Sequence, residues 1–593
     1  MFISILRVKE KFGIENYTSV LTFLKKEKEL FIRSIFLAIF ILLGLGLSSV
    51  QTLPAQELLN LSQRVIEPIE KSEIFFPFEK TITIIAPDFF GNPATGNYWG
   101  PQDYTSTTGF VGFTALILAI IAFFLFKKNN TVKFFVLLLF ISLLLSYQTP
   151  ISLFIWNSGI FGLQAAMAHR AMILFTLSIS ILSAFGLDEI SDNDKSKYLP
   201  YLIFPGILII LFGAYALTAY LMPSIITQIG ILPMVVTNAY IALKNLVFPF
   251  IIFVLVFSVF FLYSKKILRK SLFATLLLII SVWELFRFGW KYTPFSDRGM
   301  VYPTTPVIDF LLSQEKPFRV TTTDVIPINI KMTYGLESLE GYGALFPLSI
   351  AEFISYLNSA EVDNVSPQGR YGNVTNLNSP LLNITNTKYL LAIKRNSKGI
   401  PDENGEVDYL IRNLRFKKVF EDKSVVVLEN LENLPRAFMV YDWEVISVDR
   451  DVAIKLLSNS FPHGKKIIIS ESPGIEKSNS NSKYSLVYEK YKDQESVISV
   501  ETEEDGLLYI SDLDYPGWKA YLDGTETKIY KANYAFRAIM VPEGKHTVRM
   551  VYEPQSFRNG VWFSLISFAI LVLSYPIYSS IGKKRSVPYT NNK

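Results

Sequence analysis

The sequence contains no cysteine, and this absence removes several classes of site at once. A chain without cysteine forms no disulfide, holds no metal through thiolate and has no cysteine nucleophile. Histidine is scarce too, with His169, His463 and His546 far apart in sequence, which argues against a metal centre built from histidine ligands. Charge is also low, because 18% of the residues are charged where a soluble chain carries about a quarter.

Apolar residues make up half of the 593-residue chain, and they are concentrated in long runs. A helix needs about 20 mainly apolar residues to cross the ~30 Å hydrocarbon core of a bilayer. The pattern therefore predicts a polytopic α-helical membrane protein. The shorter apolar stretch at 150–168 instead indicates a re-entrant or interfacial helix. We predict eight spans, at residues 31–50, 109–126, 132–149, 169–187, 198–221, 241–263, 271–290 and 558–580.

The basic residues predict how these spans are oriented. Lys and Arg cluster after the second, fourth, sixth and eighth spans, whereas 150–168 and 222–240 contain neither. Basic residues are enriched in cytoplasmic loops, so both termini are predicted to be cytoplasmic. The lead-in 1–30 and the tail 581–593 then lie inside. The net charge of +5 is small and gives no indication of nucleic-acid binding, which leaves the lipid bilayer as the first predicted partner.

The same orientation places two segments outside the cytoplasm. Within the membrane region 31–290, which holds seven spans, the external loop is 51–108. Before the last span at 558–580, residues 291–483 have a mixed α/β pattern and residues 484–557 have repeated short strands. Tight turns at Asp523-Gly524 and Glu543-Gly544 favour hairpins, so 484–557 is predicted to be a small antiparallel β-sandwich. Its strands are expected at Ser496–Thr502, Gly506–Leu513, Trp518–Leu522, Thr527–Lys531, Phe536–Pro542 and His546–Tyr552.

Several motifs together resemble the YfhO family of bacterial membrane proteins, over about residues 40–580. Leu434-Pro435-Arg436-Ala437-Phe438 is similar to the family's LPRAF stretch, and Leu381 to Leu390 is similar to its LLNxxNVKYxL stretch. The other segments that carry the resemblance are Tyr515-Pro516-Gly517-Trp518-Lys519-Ala520-Tyr521, Asn533-Tyr534-Ala535-Phe536-Arg537, Ala86-Pro87-Asp88-Phe89-Phe90-Gly91, and His169-Arg170.

The resemblance implies a relationship to GT-C glycosyltransferases, which move a sugar from a polyprenyl-phosphate donor to an acceptor outside the cytoplasm. The implied acceptor is a cell-envelope polymer. No cofactor is evident, and the resemblance leaves a divalent metal open. Family members usually begin with several further spans, whereas Ser48 to Pro54 resembles a position in mid-protein. This departure favours a chain that corresponds to the C-terminal part of the enzyme, and in that case the family's catalytic acid is absent from it.

Asp88 and Asp103, in the loop 51–108, are the candidate catalytic residues. Sugar transfer needs a carboxylate that activates the acceptor hydroxyl as a general base. The alternative is that both carboxylates cap turns in a loop rich in proline and glycine. His169 and Arg170, at the outer end of the fourth span, are the candidates for binding the donor phosphate, because guanidinium groups bind phosphate in a fork geometry. The alternative is an interfacial anchor.

Trp518, Tyr521 and Tyr534 are candidate carbohydrate contacts, although aromatic residues in strands commonly form the sandwich core instead. Asn533 and Arg537 are expected to serve turn and sheet structure. Glu284 and Arg287, three residues apart in the seventh span, are expected to form an ion pair near the outer interface.

Three functions remain open from the sequence. The first is a YfhO-like protein that transfers, or helps to transfer, a sugar to an envelope polymer. The second is a non-catalytic assembly or scaffold protein whose external domain binds polymer or protein. The third is a lipid or polysaccharide transporter, which is disfavoured because the spans show no evident internal repeat.

Overall fold

The structure is a computed structural model that divides into two compact units. The first unit contains the described residues 28–34 and those from 71 to 297, and the second contains 35–63 and those from 298 to 583. Most of the predicted lead-in 1–30 and of the tail 581–593 lies outside the described residues. The described residues are 28–63, 71–158, 167–192, 198, 200, 202–223, 235–291, 295–322, 325–363, 365–407, 414–477 and 482–583.

The helices follow the apolar runs of the sequence. In chain order they are α1 (Lys28–Leu47), α2 (Ser49–Asn60), α3 (Lys71–Ile74), α4 (Phe113–Ala122), α5 (Asn130–Ser146), α6 (Pro150–Asn157), α7 (Met172–Asp192), α8 (Ile203–Leu221), α9 (Val236–Ser264), α10 (Lys270–Trp290), α11 (Pro306–Leu312), α12 (Leu348–Ser359), α13 (Asp449–Leu457) and α14 (Gln555–Lys583).

Several of these helices are long and apolar enough to cross a membrane. Among the described residues four meet both criteria, and two bent pairs raise the number to six if each pair is one span. The bent pairs are Ser34–Leu47 with Ser49–Asn60, at 68°, and Asn130–Ser146 with Pro150–Asn157, at 70°. α4 and most of α8 are apolar but shorter. Each predicted span coincides with one of these helices, and the total of eight stays a prediction.

Close helix packing forms the core of the first unit. Helix α7 packs against α4 and α5, and α9 packs against α8 and α10. Lipid tails are as apolar as leucine, so membrane helices associate through tight van der Waals contact, often at small residues. Gly186 of α7 is such a contact, because a Cβ atom there would overlap the carbonyl oxygen of Leu118 on α4.

The second unit is built mainly of β-sheet. A four-stranded sheet has the order β1-β4-β6-β5, a five-stranded sheet has β10-β11-β17-β13-β14, and a six-stranded sheet has β7-β12-β16-β15-β9-β8. The strands are β1 (Arg319–Thr322), β2 (Gly341–Tyr342), β3 (Tyr371–Gly372), β4 (Thr387–Ile393), β5 (Phe416–Glu421), β6 (Val425–Asn430), β7 (Ala437–Val440), β8 (Asp442–Val445), β9 (Lys466–Ile469), β10 (Tyr484–Lys492), β11 (Glu495–Thr502), β12 (Gly506–Leu513), β13 (Trp518–Leu522), β14 (Thr525–Thr527), β15 (Ile529–Ala532), β16 (Phe536–Val541) and β17 (Gly544–Tyr552).

The five- and six-stranded sheets share one hydrophobic core. Met439 and Leu508 of the six-stranded sheet pack in the same cluster as Ile498 and Val548 of the five-stranded sheet. The six-stranded sheet extends beyond the predicted sandwich 484–557. Its strands β7, β8 and β9 precede residue 484, and β12, β15 and β16 follow it. The strands predicted between 496 and 552 coincide with β11–β13 and β15–β17 to within a few residues.

The turn at Asp523-Gly524 shows how the local sequence sets strand register. Both residues have positive φ, 51° and 85°, and Leu522 pairs with Thr525 across the hairpin of β13 and β14. A two-residue loop with positive φ at both positions matches the right-handed twist of the flanking strands. Glycine meets this requirement without steric cost, and aspartate tolerates it.

Helix α2 contacts the rest of the second unit near both of its ends. Near its start, the amide of Val50 donates to Ser564 Oγ of α14 at 3.1 Å, and Gly560 of α14 leaves room for the backbone of Ser49. Just beyond its end, the carbonyl oxygen of Leu61 accepts a hydrogen bond from the amide of Leu348 at 2.8 Å. These contacts hold the middle of α2 against the sheets.

The contact at Gly186 predicts a position-specific loss of stability. Gly186→Ala should destabilise the chain by about 1–3 kcal/mol, because the added methyl group must displace helix α4. Gly213→Ala on α8 is the matched control, since no atom lies within 4 Å of its added Cβ atom and alanine favours helix. The unfolding temperatures of the purified full chain and both variants measure the difference. Equal unfolding temperatures for Gly186→Ala and wild type would contradict this packing.

Candidate functional site

Asp88 lies in the segment that connects α3 to α4 in the first unit. The turn Asp88 to Gly91 is closed by a hydrogen bond from the Gly91 amide to the Asp88 carbonyl oxygen at 2.8 Å. Gly91 has a φ of 80°, and a Cβ atom there would overlap the backbone of Asn97. Glycine is the residue that accepts such a conformation. The local sequence therefore determines the turn, and with it the backbone position of Asp88.

Three donors hold the carboxylate of Asp88. Lys291 Nζ lies 2.5 Å from Oδ2, and Tyr104 Oη and Asn92 Nδ2 lie 2.7 and 2.8 Å from Oδ1. Asn245 of α9 donates to the backbone oxygen of Asp88 at 2.5 Å. The side chain is 8% exposed. A buried carboxylate needs such partners, because an unpaired charge in a low-dielectric interior is costly.

A small cavity of about 10 Å³ lies beside Asp88 and is also lined by Glu284 and Arg287. A cavity of this size holds about one water molecule, which is too little for a sugar. The prediction of an ion pair between Glu284 and Arg287 was wrong. Glu284 is buried and accepts hydrogen bonds from Thr114 at 3.2 and 3.4 Å, whereas the Arg287 guanidinium lies 3.8 Å from the ring centroid of Phe248.

Asp103 has a different environment from Asp88. Its exposed carboxylate accepts hydrogen bonds from Thr105 Oγ1 and from the amide of Ser106, at 2.5 and 2.7 Å. Burial would raise the pKa of Asp103, but these hydrogen bonds and the charge of Lys80 outweigh it, so the pKa is lowered. This is the geometry of a capping carboxylate. The predicted pair of catalytic aspartates is therefore divided between two local structures.

Lys80 is the buried cation next to Asp103. Its ammonium donates to the carbonyl oxygen of Asp103 at 3.0 Å and to Thr107 Oγ1, and the residue is 1% exposed. Burial lowers its pKa to about 8, although the charge of Asp103 acts in the opposite direction. The sequence analysis missed this residue, because a single lysine between the apolar residues Phe78 and Ile82 does not by itself show that it is buried.

His169 and Arg170 precede α7 in a short 3₁₀ helix, Ala168–Ala171. The His169 ring is buried, and its Nδ1 lies 3.2 Å from the carbonyl oxygen of Ile74. Arg170 is exposed. The two residues proposed for the donor phosphate thus differ in accessibility, and only the arginine presents its side chain to the surroundings.

The three aromatic candidates of the second unit are placed in three different environments. Tyr534 is buried, donates to Glu352 Oε2 at 2.7 Å and packs edge-on against Tyr356. Tyr521 lies under the guanidinium of Arg549. Trp518 lines a cavity of about 680 Å³ within the second unit. The structure therefore places Trp518 at a cavity of ligand size.

A buried arginine cluster lies behind that cavity. Asp512 Oδ1 accepts from Arg436 Nη1 at 2.8 Å and from Arg319 Nη2 at 3.2 Å, and Oδ2 lies 3.4 Å from Arg537 Nη2. Arg436 also donates to Glu337 Oε2 at 2.6 Å. Burial would raise the pKa of Asp512, but the three guanidinium groups outweigh it and hold the pKa below its usual range.

Arg537 is the member of this cluster with unused hydrogen-bonding capacity. The residue is 2% exposed, yet its Nε and Nη1 groups have no hydrogen-bond partner. A buried donor without an acceptor costs about 1–3 kcal/mol. The sequence analysis assigned Arg537 to sheet structure. The available signal was a charged residue within an apolar strand. Arg537 is such a residue in β16, and Asp512 is another at the end of the apolar run of β12.

The described residues contain no group of three or more His, Asp or Glu side chains arranged to hold a metal ion. The arrangement that the structure does present is a carboxylate with cations in the first unit and an arginine-backed aromatic cavity in the second.

Both units contain helices long and apolar enough to cross a membrane, and the second unit is rich in β-sheet, which is the composition of a membrane protein with a large globular portion. The chain matches the family described as bacterial membrane protein YfhO over residues 12–442 and 475–564, which is most of its length. The chain therefore belongs to the YfhO family. No curated protein and no solved structure matches it.

The burial of Lys80 predicts a pH-dependent stability term. The folded-state pKa of about 8 lies below the ordinary lysine pKa of 10.5, so between these values the unfolded chain holds a proton that the folded chain has released. Stability should therefore rise with pH across that window. Lys80→Met should remove the rise. Unfolding temperatures from pH 7 to pH 11 measure it, with the exposed Lys545→Met as control. A wild-type rise that survives in Lys80→Met would contradict the assignment.

Proposed function

We propose that this YfhO-family protein transfers, or helps to transfer, a sugar from a polyprenyl-phosphate donor to a cell-envelope polymer outside the cytoplasm. The observation that supports the proposal is the ion pair of Asp88 and Lys291, at 2.5 Å, beside the cavity that Arg287 lines. It brings a carboxylate and two cations together next to the end of α10. These are the groups that GT-C-like chemistry requires.

Asp88 is the proposed general base. In this role its carboxylate takes the proton of the acceptor hydroxyl as that oxygen attacks the sugar, and the donor leaves as a lipid phosphate. Lys291 and Arg287 offset the negative charge that develops on the leaving phosphate, and the exposed Arg170 is proposed to hold the same group. The small cavity has to open before an acceptor reaches Asp88, because its volume of about 10 Å³ excludes a sugar.

The proposed location is the cytoplasmic membrane, with both termini inside. Support comes from the basic residues that follow alternate spans, such as Lys127 and Lys128 after α4 and Lys265 and Lys266 after α9. In this orientation the residues between α10 and α14 lie outside, where a polyprenyl-linked sugar and an envelope polymer meet. The second unit then offers the larger surface for the acceptor.

A non-catalytic assembly role is the second candidate, and one observation favours it. The carboxylate of Asp88 is already engaged by Lys291, Tyr104 and Asn92. A carboxylate held in this way serves well as a structural tie between α9, α10 and the preceding segment. In this function the protein would bind polymer or partner proteins through its second unit without transferring sugar.

Substitution of Asp88 separates the two functions. Asp88→Asn should lower sugar transfer by about 10²–10⁴-fold if the carboxylate is the general base. Lys291→Met should lower it too, because the cation near the leaving phosphate is lost. The measurement is transfer of labelled sugar from a polyprenyl-phosphate donor to envelope polymer in membranes that contain the full chain.

Glu79→Gln is the matched control, because Glu79 is an exposed carboxylate in the same segment. It should leave transfer unchanged. Equal transfer by wild type and a folded Asp88→Asn variant would contradict the catalytic role of Asp88. If reconstituted wild type transfers no sugar at all, the assembly function is favoured.

A further inference from the structure

The cavity of about 680 Å³ in the second unit has the size of a site for a small organic ligand, which typically occupies roughly 300–1,000 Å³. It lies where the middle of α2 faces the turn of β10 and β11 and the ends of β12, β13 and β17. Its lining combines residues of α2, including Pro54 and Glu57, with residues of the sheets, including Trp518 and Arg537. The cavity is therefore formed only when α2 is seated against the sheets.

Arg537 provides hydrogen-bond donors at the cavity wall. Its Nε and Nη1 groups are buried and have no acceptor within the protein. The guanidinium is held in place from two sides, by Asp512 at 3.4 Å and by the face of Trp518, whose ring centroid is 4.1 Å from Cζ. The protein supplies no acceptor for these two donors, and Arg537 is one of the residues that line the cavity.

Carboxylates provide acceptors at the same cavity. Glu57, Glu337, Asp493 and Asp512 all contribute to the lining, whereas the lining cations are Lys492 and Arg537. Asp512 and Glu337 are already paired with the buried arginines, so Glu57 and Asp493 remain against Lys492 and Arg537, and this charge balance favours a neutral occupant. A neutral ligand that both donates and accepts hydrogen bonds fits this mixture of groups.

Aromatic side chains form the apolar part of the wall. Trp518 and Tyr552 pack together with ring centroids 5.3 Å apart, and Tyr491 and Tyr515 also line the cavity. Tyrosine and tryptophan combine an apolar face with a polar edge. The C–H face of a sugar ring packs on such surfaces, while its hydroxyl groups exchange hydrogen bonds with carboxylates and guanidinium groups.

We propose that this cavity is a carbohydrate-binding site for one or two neutral sugar residues of a glycan. Arg537 Nε and Nη1 donate to sugar oxygens, Glu57 and the neighbouring carboxylates accept from sugar hydroxyl groups, and Trp518 with the tyrosines covers the ring. The site goes beyond the proposed transfer reaction, because it lies in the second unit and requires no chemistry at Asp88. It gives the second unit a way to hold a polymer chain.

Binding of neutral disaccharides to the full chain in lipid nanodiscs tests the proposal. The probes are cellobiose, maltose and N,N′-diacetylchitobiose, measured by saturation-transfer NMR, with inorganic phosphate as the anionic probe. At least one disaccharide should bind wild type, and phosphate should not compete with it. Arg537→Gln and Trp518→Ala should each weaken the binding at least tenfold. Arg450→Gln should not, because Arg450 is an exposed arginine of α13 paired with Asp363.

Two further variants keep the test decisive if Arg537→Gln disturbs the buried cluster. Glu57→Gln on α2 and Tyr515→Ala at the cavity wall leave that cluster intact and should also weaken binding, with unfolding temperatures close to wild type. The proposal is overturned if no disaccharide binds wild type, if phosphate displaces the sugar, or if the folded Glu57 and Tyr515 variants bind as tightly as wild type. A loss of binding in Asp88→Asn would also contradict the independence of the two sites.

Discussion

The carboxylate of Asp512 is the contact on which the arrangement of the second unit depends. It joins Arg319 at the start of β1, Arg436 immediately before β7 and Arg537 in β16, and so links the four-stranded sheet to the six-stranded sheet. Charges in a protein interior are expensive to desolvate, and they are tolerated when they are paired and hydrogen-bonded. Removing Asp512 takes a carboxylate from all three arginines at once, whereas removing one arginine leaves Asp512 with the other two.

The same cluster also determines where the cavity can accept a ligand. Arg436 uses all three of its nitrogen atoms, on Asn386, Asp512 and Glu337. Arg537 uses one, on Asp512, and the Trp518 ring lies over the face of the guanidinium. One carboxylate is thus shared among three arginines, and Arg537 keeps two donors without an acceptor. The contacts that stabilise the cluster therefore also leave Arg537 with donors for a ligand.

The sequence predicted those parts of the molecule that depend on local pattern. Apolar runs located the helices, and Asp523-Gly524 located a hairpin because both residues accept positive φ. The partners of Asp512 could not be found in this way, since they lie between 25 and 193 positions away and meet only in the folded sheets. Residues 54–58 lie in the predicted external loop 51–108, and nothing in their sequence indicates that they close a cavity.

The candidate site in the first unit also combines a turn that the local sequence predicts with contacts between distant residues that it does not. The motif around Asp88 indicated an aspartate in a tight turn, which the structure contains. Its main partners, Lys291 and Asn245, come from helices that are distant in sequence, and Glu284 pairs with Thr114 instead of the neighbouring Arg287. Spacing along one helix identifies side chains that can meet, but a better partner on a neighbouring helix decides which contact forms.

A double-mutant cycle between Arg436→Met and Asp512→Asn tests the central role of the arginine cluster most directly. The free energy of unfolding of the full chain in nanodiscs is measured by pulse proteolysis for wild type, both single variants and the double variant. Contacting residues in one network show interaction energies of about 0.5–3 kcal/mol, and the short Arg436–Asp512 contact predicts a value in the upper half of that range. Additive losses, with a coupling below about 0.5 kcal/mol, would contradict the account.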